Sequence, residues 1–416
     1  MSLNQPQTSS KRLAWLEGLR IFAAVMILLY HAQLLITDYA FTPQPTGLWA
    51  NLAVLWAASD RLGHYPLTSL LSLPAWFGFQ FVDVFVLVSG FSLVLSLRGK
   101  PLETGKFLKR RFLRILWPFW TIAWLSYPVL WAIGTATSSY IPDLWHFFAA
   151  ATFPLLFDYD GQLLLPINGP WWFVSLILSF AFIFPFLWRS LHRWGMRNLV
   201  VLSLLITLIY RTLAVYQFGG HPTYVIIDTP ANWFPFLAFI SKLSTFVLGI
   251  VAGKLYTQGY GPLFWKPRKA LLIGIPLYAI GFVCQFYWTG WIFADLLLPL
   301  GLTLCCMAAF QRLAQFPSLV TLLLKLGAYS YSFFLIHNFV VDRTINLIIH
   351  KNLSLYYLLL PVMIAGTLLL AMMVDWLTPV IQKWVRSLLR DIDAALTTGI
   401  RDQGSGVRDQ GIGIGE

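Results

Sequence analysis

The chain is broken into apolar runs of about twenty residues, the length a helix needs to cross the hydrocarbon core of a bilayer. Ten such runs are predicted as membrane spans, at 13–37, 74–97, 112–136, 170–189, 198–217, 233–254, 269–289, 291–311, 326–349 and 354–378. Composition agrees. Of 416 residues, 58% are hydrophobic and only 11% charged, where a soluble domain carries about 25% charge. A water-soluble globule is excluded, and the expected fold is an all-α integral membrane protein of about ten transmembrane helices. The domain plan is a short cytoplasmic N-terminus over 1–11, a ten-helix membrane domain over 12–378 and a cytoplasmic tail over 379–416.

Lysine and arginine set the expected orientation, because they accumulate on cytoplasmic flanks. With the N-terminus inside, 23 of them fall on one side and four on the other, namely Arg61, Arg211, Arg343 and Lys351; Arg20 and Lys242 fall within spans. The prediction is N-in, C-in. The net charge of +12 would suit a nucleic-acid binder. Here the basic residues cluster at the ends of apolar runs, so topology and contact with the lipid bilayer explain them and no nucleic acid is implied. Lys11 and Arg12 precede a first apolar stretch that lacks a small-residue cleavage site, which reads as an uncleaved signal anchor.

The two longest connections, about 38–73 and 137–169, face outward in this scheme and suit recognition of a glycan or lipid-linked acceptor. Within the second, Ile141–Phe157 is apolar but short and proline-flanked, as a re-entrant or interfacial segment would be. Cys284, Cys305 and Cys306 lie in apolar runs without CxxC spacing, so they are expected to be free thiols and no metal site is predicted. GIRDQG (399–404) recurs as GVRDQG (406–411), and this glycine-rich tail is expected to be disordered beyond about 395.

Ionisable groups inside a membrane cost several kcal/mol and persist where they pair or line a polar cavity. In the first span, Glu17, Arg20 and His31 share one face: Arg20 and His31 are eleven residues apart, about three helical turns. Arginine suits phosphate capture, and histidine suits proton transfer near neutrality. Together they fit a phosphorylated donor and an acceptor hydroxyl. The spacing fits equally a Glu17–Arg20 ion pair beside a separate structural histidine. Arg110, Arg111 and Arg114 cluster at a helix mouth as phosphate contacts or inside-positive anchors. Asp83, Lys242, Asp295 and Asp375 are candidates for pairing across the bundle, and Trp171 and Trp172 for walling a cavity.

An ordered set of motifs then resembles the acyltransferase 3 family of membrane acyltransferases. RLAWLEGLRIFAAVMILLYH (12–31) is similar to its opening, L-D-G-L-R followed by histidine. FQFVDVFVLVSGFSLVLSL (79–97) resembles the second-helix motif, with Asp83 and Ser89 in register. FLKRRFLRILWPFW (107–120) resembles the arginine motif, and WWFVSLILSFAFIFPFL (171–187) a tryptophan-phenylalanine helix that includes Trp172. FVLGIVAG (246–253) and LGAYSYSFFLIHNFVV (326–341) fit later motifs, including Tyr331 and His337. The resemblance implies a cytoplasmic acyl-CoA donor, acetyl-CoA first among them, and a sugar hydroxyl as acceptor. By carry-over, His31 is catalytic with Glu17 beside it, and Arg20, Arg110, Arg111 and Arg114 bind the donor. Asp83, Ser89, Trp172, Tyr331 and His337 bind substrate or support the site.

Two departures stand out. Glu17 replaces the usual aspartate, and the fourth span lacks the glutamates of the W-S-L-x-V-E-E-Q-F branch. The chain is therefore closer to branches that modify glucans or exported polysaccharides, with acetyl or succinyl as the group moved. The expected activity is O-acyl transfer at the inner or plasma membrane. A transporter or flippase for a lipid-linked saccharide is the alternative.

Overall fold

A computed structural model describes residues 13–37, 41, 43–61, 72–138, 141, 143–145, 147–148, 168–222, 234–313 and 315–405. Among them there is no strand. That follows from the solvent: in lipid every backbone N–H and C=O must be paired internally, and a helix does this within one segment. Serine and threonine hydroxyls inside the helices follow the same rule by donating to carbonyls one turn back, as Ser92 does to Val88 and Thr378 to Val374.

The long helices are α1 (Ala14–Ile36), α2 (Leu48–Arg61), α3 (Phe81–Leu97), α4 (Thr104–Thr137), α5 (Trp172–Tyr216), α6 (Leu243–Thr257), α7 (Pro267–Cys284), α8 (Trp291–Leu313), α9 (Pro317–Ala328), α10 (Ser330–Thr344) and α11 (Leu353–Ser405). Among the described residues, eight helical stretches are long and apolar enough to cross a membrane. The predicted spans 170–189 and 198–217 both lie in α5, whose helical geometry is interrupted at Gly195 (φ 79°, ψ 165°). The predicted span 112–136 is the apolar part of α4, which begins in the basic segment at Thr104.

Burial is uneven. In the most apolar stretches of α1 and α3, 67% of residues are buried, against 17% in α7 and 22% in α11. A helix that is apolar all round and buried belongs to the interior, so α1 and α3 are central while α7 and α11 are peripheral. α1 packs against α3, α8, α9 and α10, and α3 against α6. The α3–α6 contact is very close: a Cβ on Gly90 would lie 2.3 Å from the Phe246 carbonyl oxygen, and one on Gly249 would lie 2.1 Å from that of Leu87.

Three expectations change. The predicted span 326–349 starts later, at Ser330, after a turn at Tyr329 that separates it from α9, and it closes in a π-helical turn over Ile345–Ile349. The outer connection 38–73 is not all loop: it carries α2, which buries Asn51 and exposes Trp49 and Trp56. The last helix runs on to Ser405, through Gly399 and Gly404 and past the point near 395 where disorder is expected. Most of Ile141–Phe157 and all of 406–416 lie outside the described residues.

Candidate functional site

The site begins on α1. Arg20 Nη1 donates to Glu17 Oε1 at 3.0 Å, and Nη2 donates to Ser92 Oγ on α3 at 2.6 Å. The guanidinium is thus fixed by a carboxylate of its own helix and a hydroxyl of the next. Glu17 is itself held by a close approach at the end of α9, where a Cβ on Gly327 would stand 2.4 Å from the Glu17 Cβ. Glu17 contacts Arg20, and no hydrogen bond joins it to His31.

Arg20 stands between two cavities. The wider, about 630 Å³, is bounded by Arg20, Arg98, Lys100, Lys106, Arg110 and Arg114, with Glu17 and Glu103 the acidic members. The narrower, about 170 Å³, is lined by Arg20, Ser89, Arg111, Arg114, Tyr331 and Phe334 among others. Arg114 and Arg20 line both, whereas Arg110 lines only the wide one and Arg111 only the narrow one. Arg111 Nε is buried with no hydrogen-bond partner among the described residues. A buried cationic donor of this kind costs free energy until an anion or carbonyl meets it. Tyr331 ties the wall together by donating to the Ile115 carbonyl at 3.1 Å.

His31 lines a third cavity of about 120 Å³, with Tyr30, Asp83, Trp172, Lys242, Asp295 and Phe334 among its walls. Phe334 is a wall of both this cavity and the narrow basic one. It packs edge-on against Phe173 (ring centroids 5.0 Å apart) and Phe85 (6.0 Å).

The hydrogen bonds of the histidines fix their tautomers. His337 is fully buried, and its Nδ1 lies 2.5 Å from the Phe334 carbonyl, an acceptor only, so Nδ1 carries the proton. In neutral His337, Nε2 is then an acceptor. It faces His31 Nδ1 at 3.1 Å, and that same Nδ1 lies 2.9 Å from the Ile27 carbonyl. Both neighbours of His31 Nδ1 are acceptors, so His31 is protonated there. Its Nε2 is left with a free lone pair. That is the arrangement a general base requires.

A chain of charges meets the same cavity at Asp83, Lys242 and Asp295. Lys242 Nζ donates to Asp83 Oδ1 at 2.6 Å and to Asp295 Oδ2 at 3.4 Å; Asp295 Oδ2 also receives Arg211 Nη1 at 3.0 Å. Arg211 is only 1% exposed, stacks over Phe236 and donates further to the Ser241 and Trp291 carbonyls. Two carboxylates and two cations leave the chain neutral, which is what burial demands.

The sequence-derived candidates therefore fall into two groups. Glu17, Arg20, Ser89, Arg110, Arg111, Arg114 and Tyr331 gather at the basic cavities, and His31, Asp83 and Trp172 gather at the third, with His337 behind His31. Lys242 and Asp295 pair as expected, but Asp375 takes a hydroxyl, that of Ser332, rather than a cation. Trp171 is fully buried in packing and bonds the Leu335 carbonyl. Sequence reasoning misses Ser92, Phe334 and above all Arg211, which it assigns to the outer flank. The position of Arg211 inside an apolar run is the available signal.

Apolar helices arranged round a buried histidine, with basic cavities beside it, make this a multi-pass membrane protein with an internal polar site. Its family follows from the sequence match: the family model for the acyltransferase 3 domain, described as an acyltransferase domain, covers residues 13–374. The chain belongs to that family and is a membrane acyltransferase. No curated relative and no solved structure matches it.

Proposed function

We infer that the protein transfers an acyl group, acetyl or succinyl, from a cytoplasmic acyl-CoA to a hydroxyl of a glycan, exopolysaccharide or glycolipid. The observation that carries this reading is the shared wall at Phe334 between a basic cavity and the cavity of His31. The nucleotide and phosphates of the donor fit the wide cavity, with Arg110 and Arg114 as contacts. The pantetheine arm fits the narrow one, past Arg20, Arg111 and Ser89. That route brings the thioester toward Phe334 and His31.

The acceptor hydroxyl then attacks the thioester carbonyl while His31 Nε2 takes its proton. The carbon–sulfur bond breaks, an ester forms, and the proton passes from His31 to the departing thiolate, which leaves as the free thiol. His337 keeps the reactive lone pair on Nε2 by accepting from Nδ1. The basic flank at the wide cavity, together with the lysine and arginine bias, supports an N-in, C-in orientation in the inner or plasma membrane.

The test is transfer of label from [14C]acetyl-CoA by the purified full chain in nanodiscs. His31→Ala, with folding verified by its melting curve, is expected to abolish acetyl-CoA turnover. Near wild-type turnover in that variant would remove the base assignment. Movement of a lipid-linked saccharide without consumption of acetyl-CoA would favour a flippase instead.

A further inference from the structure

We propose that Asp83 and Asp295, with the aromatic walls around them, form the acceptor subsite, a pocket for the hydroxyls of an uncharged saccharide. This rests on the acyl-transfer reading and deepens it.

Both carboxylates keep hydrogen-bonding capacity in reserve. A carboxylate offers about four acceptor positions. Asp83 uses Oδ1 on Lys242, and Asp295 uses Oδ2 on Arg211 and Lys242. Asp83 Oδ2 and Asp295 Oδ1 accept no hydrogen bond among the described residues, and both side chains line the cavity of His31. Both side chains reach the cavity, where a carboxylate oxygen without a protein partner is an open acceptor. The groups that match it are donors, which selects O–H and excludes a second anion.

Charge narrows the class. The four-residue chain sums to zero, so the pocket holds no surplus to attract a charged ligand. Lys242 and Arg211 hold the carboxylates in place, and Arg211 takes no part in lining the cavity. The remaining walls include Tyr30, Phe79, Trp172 and Phe236. Flat aromatic faces beside fixed acceptors suit a pyranose, which presents C–H on its faces and O–H on its rim. A cavity of about 120 Å³ has room for part of one sugar unit rather than for a polymer. The acceptor would therefore insert an end or a hydroxymethyl arm, with His31, which lines the same cavity, to receive its proton.

The test reads binding without any donor. Full-length protein in nanodiscs is titrated with [14C]methyl β-glucoside, with glycerol as a ringless competitor and coenzyme A binding measured in parallel. Asp295→Asn and Asp83→Asn keep side-chain shape while exchanging one acceptor for a donor. Each is expected to weaken glucoside binding about tenfold, the scale of one lost charged hydrogen bond, with coenzyme A binding as in the wild type. If a single substitution unfolds the bundle, Asp83→Asn with Lys242→Met removes one charge of each sign, and Trp172→Ala removes only an aromatic wall. Both are expected to weaken the glucoside as well. No glucoside binding by the wild type overturns the subsite, as does unchanged binding in folded variants, which would leave the free oxygens to water alone. Glycerol competing as well as the glucoside overturns the aromatic contribution. Glucoside binding that depends on Asp295 in a protein that never consumes acetyl-CoA would keep the subsite and reject the acyl-transfer reading.

Discussion

His337 Nε2 lies 3.1 Å from His31 Nδ1, and the two rings come from helices more than three hundred residues apart in sequence. The pair makes His337 a positioning residue: together with the Ile27 carbonyl it holds the proton on Nδ1 of His31 and leaves Nε2 free. His337→Phe is expected to lower kcat by roughly tenfold or more, with donor KM changed by less than about twofold. His337→Gln, whose side-chain oxygen can accept from Nδ1, is expected to recover part of the loss. Steady-state kinetics on the three proteins decide it, and a loss confined to KM would contradict the assignment.

The two basic cavities predict a graded response to arginine removal. Arg114→Gln touches both cavities and is expected to raise donor KM by about ten- to a hundredfold, as losing a charge-assisted phosphate contact does. Arg110→Gln, confined to the wide cavity, should have a smaller effect, and because both side chains are exposed both effects should shrink with added salt. Donor KM measured for the two variants at one ionic strength separates them. Equal effects at both positions would count against a route from one cavity into the next.

Phe334 gives a steric prediction. Phe334→Trp enlarges the wall between the basic cavity and that of His31, and is expected to cut transfer more severely for succinyl than for acetyl donors. Phe334→Ala removes the partition and is expected to raise acetyl-CoA hydrolysis relative to transfer, because water then reaches the thioester more freely. Comparing thiol release with labelled product measures both. An unchanged ratio in Phe334→Ala would mean that the ring is packing and nothing more.

Gly249 and Gly105 make a matched pair for stability. Gly249→Ala places a methyl group against the Leu87 carbonyl and is expected to cost about 1–3 kcal/mol by forcing α3 and α6 apart. Gly105 lies in α4, where the methyl group of an alanine would meet nothing within 4 Å. There Gly105→Ala should stabilise by up to about 1 kcal/mol through helix propensity. Thermal melts in one detergent provide the comparison.

The sequence carries the helices and the charged residues well, because a twenty-residue apolar run and an ionisable group within it are both costly to misplace. That Lys242 pairs with Asp83 and Asp295 across the bundle is legible for that reason. The His31–His337 contact is not, since it depends on how α1 and α10 pack and no local pattern encodes a crossing. Arg211 escapes because a cation near the end of an apolar run looks like a topology marker, and only Asp295 on α8 reveals it as a partner. The turn at Tyr329 is hidden as well, since no proline marks it and apolar residues flank it on both sides.

The contrast between the deeply buried α1 and α3 and the thinly covered α7 and α11 bears on how such a chain can drift over generations. A lipid-facing position asks only for an oily side chain, so a saturation scan should find α7 and α11 permissive to almost any aliphatic exchange. α1 and α3 should tolerate few exchanges. Divergence among descendants would then accumulate at the rim of the bundle, and the inner helices would hold the longest memory of the ancestral chemistry.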